Sequence, residues 1–266
     1  MSKQYTLSER RACRLIGIAR SSKRYRSRRK EREMSLRQRL RSLALERPRF
    51  GYRRLGALLA REGEKVNHKC VYRLYRAEGL VVRRRRRKRL ARGTGTPAAV
   101  PQRSNQRWSM DFVSDCTAGG RTIRALTLVD DYTRECLAIE VDTSLGGVRV
   151  RRVLEAVLAQ RGKPEAIVLD NGPEFRGRAL AGWSEERRVR LHFIDPGKPM
   201  QNCFIESFNG RLREECLNAH WFVTLADARR KIEAWRRDYN EERPHSSLGY
   251  LAPQRFAQLL HAGAQQ

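Results

Sequence analysis

No run of about eighteen apolar residues occurs anywhere in this sequence, so no membrane-spanning helix is expected. Arg10, Arg11 and Arg14 break up the one apolar segment near the start, and neither a secretory signal nor a lipidation motif is expected. Cysteine pairs at C-x-x-C spacing are also missing. Cys13, Cys70, Cys116, Cys136, Cys203 and Cys216 stand apart, and the five histidines do not complete a zinc spacing around them. His68 with Cys70 comes nearest but has no second pair. Free thiols in a reducing cytosol are expected, with neither disulfides nor structural zinc. Acidic residues are few, 29 against 57 Lys and Arg, for a formal charge of +28.

That charge is lopsided. Residues 1–104 hold 33 Lys and Arg against 7 Asp and Glu, a balance of +26, while residues 105–266 hold 24 against 22, a balance of +2. A basic arm on a near-neutral body is the footprint of a nucleic-acid binder, whose affinity comes from phosphate contacts and counterion release. Membrane-surface binding is the rival, weakened by the two absences above.

Residues 1–35 read as a basic segment with a short helix over Ser8–Ala19, followed by SSKRYRSRRKERE, expected to stay solvated until it meets phosphate. Residues 36–90 are periodic. Leu36, Leu40 and Leu43 fit one helix, which ends before Pro48. Leu55, Leu58 and Leu59 fit a second, stopped by Gly63; Asn67 caps a third, with Val71, Leu74 and Tyr75 inward and Gly79 at its end. The third helix exposes Lys69, Tyr72, Arg73 and Arg76, a helix-turn-helix-like pattern. Arg83, Arg84, Arg85, Arg86, Arg87, Lys88 and Arg89 follow as seven consecutive cations, suited to the DNA backbone or minor groove; an RNA-binding or nuclear-localisation reading rests on this run alone. Residues 91–106, rich in Gly, Pro, Thr and Ser, read as a linker.

From Arg107 the texture turns to strands. Trp108, Met110 and Phe112 alternate with Ser109, Asp111 and Val113; Gly119-Gly120 marks a hairpin; two further strands follow, then strand–helix alternation. The expectation is an α/β class: a mixed five-stranded sheet with flanking helices over residues 107–218, then a helical extension over 219–266, all preceded by the small all-α module. A loop and helix over Pro196–Cys216 carry Ile205, Phe208 and Leu212 on one face, with Glu206, Asn209 and Arg213 on the next, and Asn202 as the expected N-cap.

Three carboxylates then stand out on separate elements: Asp111 in the first strand, Asp170 at the C-terminal end of the fourth, and Glu206 on that helix. Each alone is explained by turn formation or solvation. Together they are hard oxygen ligands for a pair of Mg²⁺ ions, the arrangement phosphodiester chemistry wants. Asn171 and Gly172 shape the loop after Asp170, while Lys198, Asn209 and Arg213 are candidate phosphate contacts. Asp130 and Asp131 compete as ligands, but ending a strand beside a turn is their plainer role, and His245 reads as a packing or turn residue.

WSMD, VLDNGPEF and FIESFNGRLREEC, with thirty-five residues between Asp170 and Glu206, resemble the catalytic core of the integrase and DDE-transposase superfamily. YNEERPHSSLGYLAP is similar to the end of insertion-sequence transposases encoded by the second of two overlapping frames. The resemblance implies a ribonuclease-H-like fold, Mg²⁺ or Mn²⁺ as a pair of ions, and Asp111, Asp170 and Glu206 as catalytic and metal-binding residues. It also implies cleavage and strand transfer on double-stranded DNA at element ends and target, in the bacterial cytoplasm at the nucleoid, with a homo-oligomer on the DNA. An upstream-frame product supplying end recognition is a further partner it suggests. A metal-dependent nuclease without strand transfer, and a repressor derived from a transposase, are the alternatives.

Overall fold

The computed structural model describes residues 8–25, 29–82, 100–195 and 199–263; the Arg83–Arg89 run and Lys198 lie outside them. The chain divides after Val82 into two compact units.

The N-terminal unit is helical: α1 (Glu9–Leu15), α2 (Arg20–Arg24), α3 (Arg29–Glu46), α4 (Tyr52–Arg61) and α5 (His68–Ala77). Leu36, Leu40 and Leu43 of α3 pack with Leu55 and Leu59 of α4 and Val71, Leu74 and Tyr75 of α5. Asn67 accepts from the Lys69 amide at 2.8 Å and caps α5. Gly63 and Gly79, at φ +89° and +68°, take the left-handed turns that close α4 and α5. The short helix expected over Ser8–Ala19 is present as α1, whereas the stretch 21–33, expected to stay solvated, is helical in α2 and the start of α3. Part of the reason is local: Ser8 caps α1 at 3.4 Å, and Arg24 pairs with Glu9 at 2.8 Å, joining α2 to α1.

The second unit is built on β1 (Arg107–Cys116), β2 (Thr122–Asp130), β3 (Cys136–Asp142), β4 (Ala166–Leu169) and β5 (Arg190–Phe193), in the order β3-β2-β1-β4-β5. The first three strands are antiparallel neighbours, while β4 runs parallel to β1 and β5 parallel to β4. Side-chain alternation along β1 feeds two apolar layers. Trp108 and Met110 pack with α6 (Gly147–Arg161) and α7 (Arg178–Arg187) on one face. Val113 packs on the other face, under α8 (Cys203–Glu215) and α9 (Leu225–Glu241). Asp111 shares the parity of Val113 and so faces α8. α10 (Pro253–Gly263) ends the unit.

Phe222, Ile232, Trp235 and Tyr239, from the tail expected as an extension, belong to the same apolar cluster as Val113 and Phe208. Arg243 of that tail donates to both carboxylate oxygens of Glu215 at 2.7 and 2.8 Å, a buried bidentate pair at the end of α8. Asn202 departs from expectation. It sits at the N-cap position of α8 after a 3₁₀ turn (Pro199–Asn202), yet its side chain makes no capping bond and is buried. Asp130 accepts from the amides of Asn105 and Tyr132, both at 2.8 Å, and of Thr133 at 3.1 Å. Asp131 accepts from Arg107 Nε at 2.6 Å and Ser109 Oγ at 2.9 Å. Both carboxylates are structural, joining the end of β2 to the start of β1.

Candidate active site

Asp111 lies mid-strand on β1, with Thr127 directly across on β2. Its Oδ2 accepts from Asn209 Nδ2 at 2.8 Å and its Oδ1 from the Phe112 amide at 2.7 Å. Thr127 Oγ1 stands 2.9 Å from Asn209 Oδ1 and 3.0 Å from the Asp111 carbonyl, so its one proton serves two acceptors. Asn209 is thereby held at both ends of its amide. Through that bond Asn209 fixes Asp111.

Burial pushes the Asp111 carboxyl up to about 6; the charges of Asp170 and Glu206 push the same way, and the bonds from Phe112 and Asn209 oppose them. Three carboxylates from three elements thus share one electrostatic neighbourhood. Among the described residues, no three His, Cys, Asp or Glu side chains stand close enough to hold a metal ion as they are.

Asp170 follows β4, and its Oδ1 accepts from the Gly172 amide at 3.0 Å. A Cβ on Gly172 would come within 3.0 Å of that same Oδ1 and 3.3 Å of Glu174 Oε2, so any larger residue would press the Asp170 carboxylate aside. Asn171 donates to the Ile194 carbonyl at 2.7 Å and accepts from Arg176 at 2.6 Å, fastening the end of β4 to the chain after β5. Arg124 pairs with Glu174 at 2.5 Å and holds its carboxyl below the usual range. The same guanidinium lies 4.3 Å over Phe112, which stacks on Phe175 at 4.9 Å. These contacts fix the wall on the Asp170 side.

Glu206 is exposed in the first turn of α8, one turn before Asn209. Two residues earlier, the Phe204 ring receives the guanidiniums of Arg107 at 5.1 Å and Arg134 at 4.0 Å. Buried Asp131 balances this pair of cations through Arg107. A cation–π anchor therefore holds the start of the helix that carries Glu206. Neither this anchor nor Thr127 is apparent in the sequence; the strand register and the α8 packing reveal them.

The candidate DNA contacts are distributed as follows. Arg213 is exposed and donates to the Ser114 carbonyl at 3.2 Å, which lays α8 along β1. Lys69, Arg73 and Arg76 are exposed on α5; Arg73 donates to Glu33 at 2.7 Å, so an internal partner competes for it.

The sheet order, with helices on both faces, is that of a ribonuclease-H-like core. Two models described as "Integrase core domain" match residues 101–199 and 187–253, and an "HTH-like domain" matches residues 30–88. A 31.7 kDa protein of insertion element IS407 from Burkholderia multivorans is 52% identical, covering 94% of this chain and 91% of that one. A 39.2 kDa protein of insertion element IS476 from Xanthomonas euvesicatoria is 47% identical over 94% of this chain and 72% of its own length. Transposase InsD of insertion element IS2 from Escherichia coli is 27% identical, over 79% of this chain and 74% of that one. The catalytic core domain of HTLV-2 integrase in complex with magnesium superposes with a TM-score of 0.47 at 15% identity, over 57% of this chain and 95% of that one. The chain belongs to the insertion-element transposases of the integrase-core family, DNA transposases of the DDE type.

Proposed function

We propose that Asp111, Asp170 and Glu206 are the catalytic carboxylates of this transposase, that together they hold two Mg²⁺ or Mn²⁺ ions, and that the chain cuts and joins DNA strands at the ends of a mobile element. The observation that carries this reading is the placement of three carboxylates on β1, directly after β4 and in the first turn of α8, within the stretch that the integrase-core models match. The donor set, two Asp and one Glu, suits a hard divalent ion. When bound, the metal pair activates the attacking water or 3′-hydroxyl and stabilises the leaving oxyanion.

The protein's own residues do the positioning. Asn209, fixed by Thr127, keeps Asp111 aimed and favours its ionised form. The Gly172 amide does the same for Asp170. The Phe204 anchor sets where Glu206 emerges.

In the N-terminal unit, α5 presents Lys69, Arg73 and Arg76 to the DNA, with the Arg83–Arg89 run, Lys198 and Arg213 adding phosphate contacts. Joining one element end to another takes at least two copies on the DNA, and an upstream-frame product assists end recognition. The working location is the bacterial nucleoid; no helix among the described residues is long and apolar enough to cross a membrane.

The test is a labelled element-end duplex incubated with Mg²⁺. Nicked and joined products are expected from the natural sequence, and neither from Glu206→Gln, which should bind the duplex with unchanged affinity. Normal turnover by that variant overturns the assignment; nicking without any joined product reduces the function to a nuclease.

A further inference from the structure

Four tryptophans occur in the chain. Trp108 and Trp183 are 0% exposed and Trp235 8%, but Trp221 is 82% exposed. Burying its indole would remove about 150–250 Å² from water, so so large an exposed aromatic surface calls for a reason.

Its mounting is rigid. Phe222, next in sequence, is 2% exposed in the core, and its carbonyl accepts from the Ala118 amide at 2.7 Å. Lys231 Nζ donates to the Trp221 carbonyl at 2.7 Å, and the Val223 amide donates to Asp227 at 3.2 Å. The backbone on both sides of the indole is therefore pinned while the ring projects. Val223, at 68% exposed, is the only other large apolar side chain of this bracket left in solvent. Two side chains fall well short of the roughly 800 Å² per partner that a stable protein interface buries. They suit a single stacked ring. The charge agrees, because Lys231 and Arg230 share the one carboxylate of Asp227, leaving the bracket positive.

The bracket also continues the line of the active site. α8 runs along β1, with Asn209 at Asp111 and Arg213 at Ser114, and the hairpin beyond β1 meets Phe222 through Ala118. Seven residue steps of strand and turn lead from Asp111 to Ala118, on the order of 20 Å. That is about six base steps at 3.4 Å each.

We propose that Trp221 is a stacking platform for an unpaired nucleobase of the DNA, several steps from the scissile phosphate. This rests on the proposed carboxylate site for its direction, but its test needs no chemistry. The full chain, without added divalent metal, is titrated with a duplex carrying an unpaired stretch and with its fully paired counterpart. Binding is followed by anisotropy of labelled DNA and by tryptophan emission, to which Trp221 contributes the one exposed indole. The unpaired DNA should quench that emission strongly and the paired DNA weakly. Trp221→Phe should abolish the quench and keep most of the affinity; Trp221→Ala should bind the unpaired DNA about ten-fold more weakly, with unchanged thermal unfolding. Binding without a quench, a quench that survives in Trp221→Phe, or full affinity in Trp221→Ala overturns the proposal and leaves the carboxylate site untouched. A change in oligomeric state in Trp221→Ala, with DNA affinity intact, also overturns it and makes the bracket a contact between copies.

Discussion

Asn209 Nδ2 donates to Asp111 Oδ2 across 2.8 Å, joining residues ninety-eight positions apart in the chain. That bond ties the helix of one proposed ligand, Glu206, to the strand of another. It also favours the ionised form of a carboxyl that burial pushes up to about 6.

Removing the bond should therefore act on metal affinity before anything else. Asn209→Ala leaves Asp111 harder to ionise and less well aimed, and is expected to cost roughly 10- to 100-fold in metal affinity or activity. Thr127→Val, which only loosens Asn209, should cost less. Mg²⁺ titrations of cleavage at fixed DNA check both, with DNA affinity unchanged.

Gly172→Ala should damage catalysis more than folding. The added methyl meets Asp170 Oδ1 at 3.0 Å, a group that yields by turning away from its place. A loss of about ten-fold or more in turnover is expected from such a misplacement, with little change in melting temperature. Equal losses in both would make the residue merely structural.

Burial of Asp111, with the charges of Asp170 and Glu206 adding to it, gives a pH signature in metal-free protein. The folded Asp111 carboxyl titrates near 6, above the about 3.9 of an unfolded chain. A raised acid favours the fold only while protonated, so its relative contribution is present below about pH 4 and is lost as pH rises to 6. Asp111→Asn escapes this loss. It should match the natural sequence in stability near pH 4 and exceed it by about 1–2 kcal/mol at pH 7.5, after allowance for partial solvent screening. Denaturant unfolding at the two pH values in chelator decides the sign.

Phe204→Leu removes the ring beneath Arg107 and Arg134 while keeping an apolar side chain. A loss of about 1–2 kcal/mol in stability is expected, together with slower cleavage, as the start of α8 loosens. Phe204→Tyr should restore both, and failure of that rescue removes cation–π attraction as the cause.

Much of this was legible in the residues themselves. Strand alternation around Trp108, Met110 and Phe112, and the placement of Asp170 after a short apolar strand, survive as β1 and β4. The stripe of Ile205, Phe208 and Leu212 is buried as its spacing requires. What stayed hidden depends on register and on contacts far apart in sequence. Thr127 meets Asp111 only because β1 and β2 pair in one register, and Asn209 reaches it only because α8 lies along that strand. The Arg107, Arg134 and Phe204 anchor draws on three distant segments, none of them unusual alone. Over residues 21–33 composition argued for solvated chain, whereas α2 and the start of α3 are helical there, with Arg24 of α2 paired to Glu9 of α1.

The most direct measurement is a calorimetric titration of the DNA-bound chain with Mn²⁺. Two ions per chain are expected, with proton uptake by buffer that grows as the starting pH is lowered from 7.5 toward 6, since Asp111 must shed its proton to bind. Asp111→Asn, Asp170→Asn and Glu206→Gln should each weaken or abolish that binding. Unchanged stoichiometry and affinity in any of the three would contradict the claim that these carboxylates hold the ions.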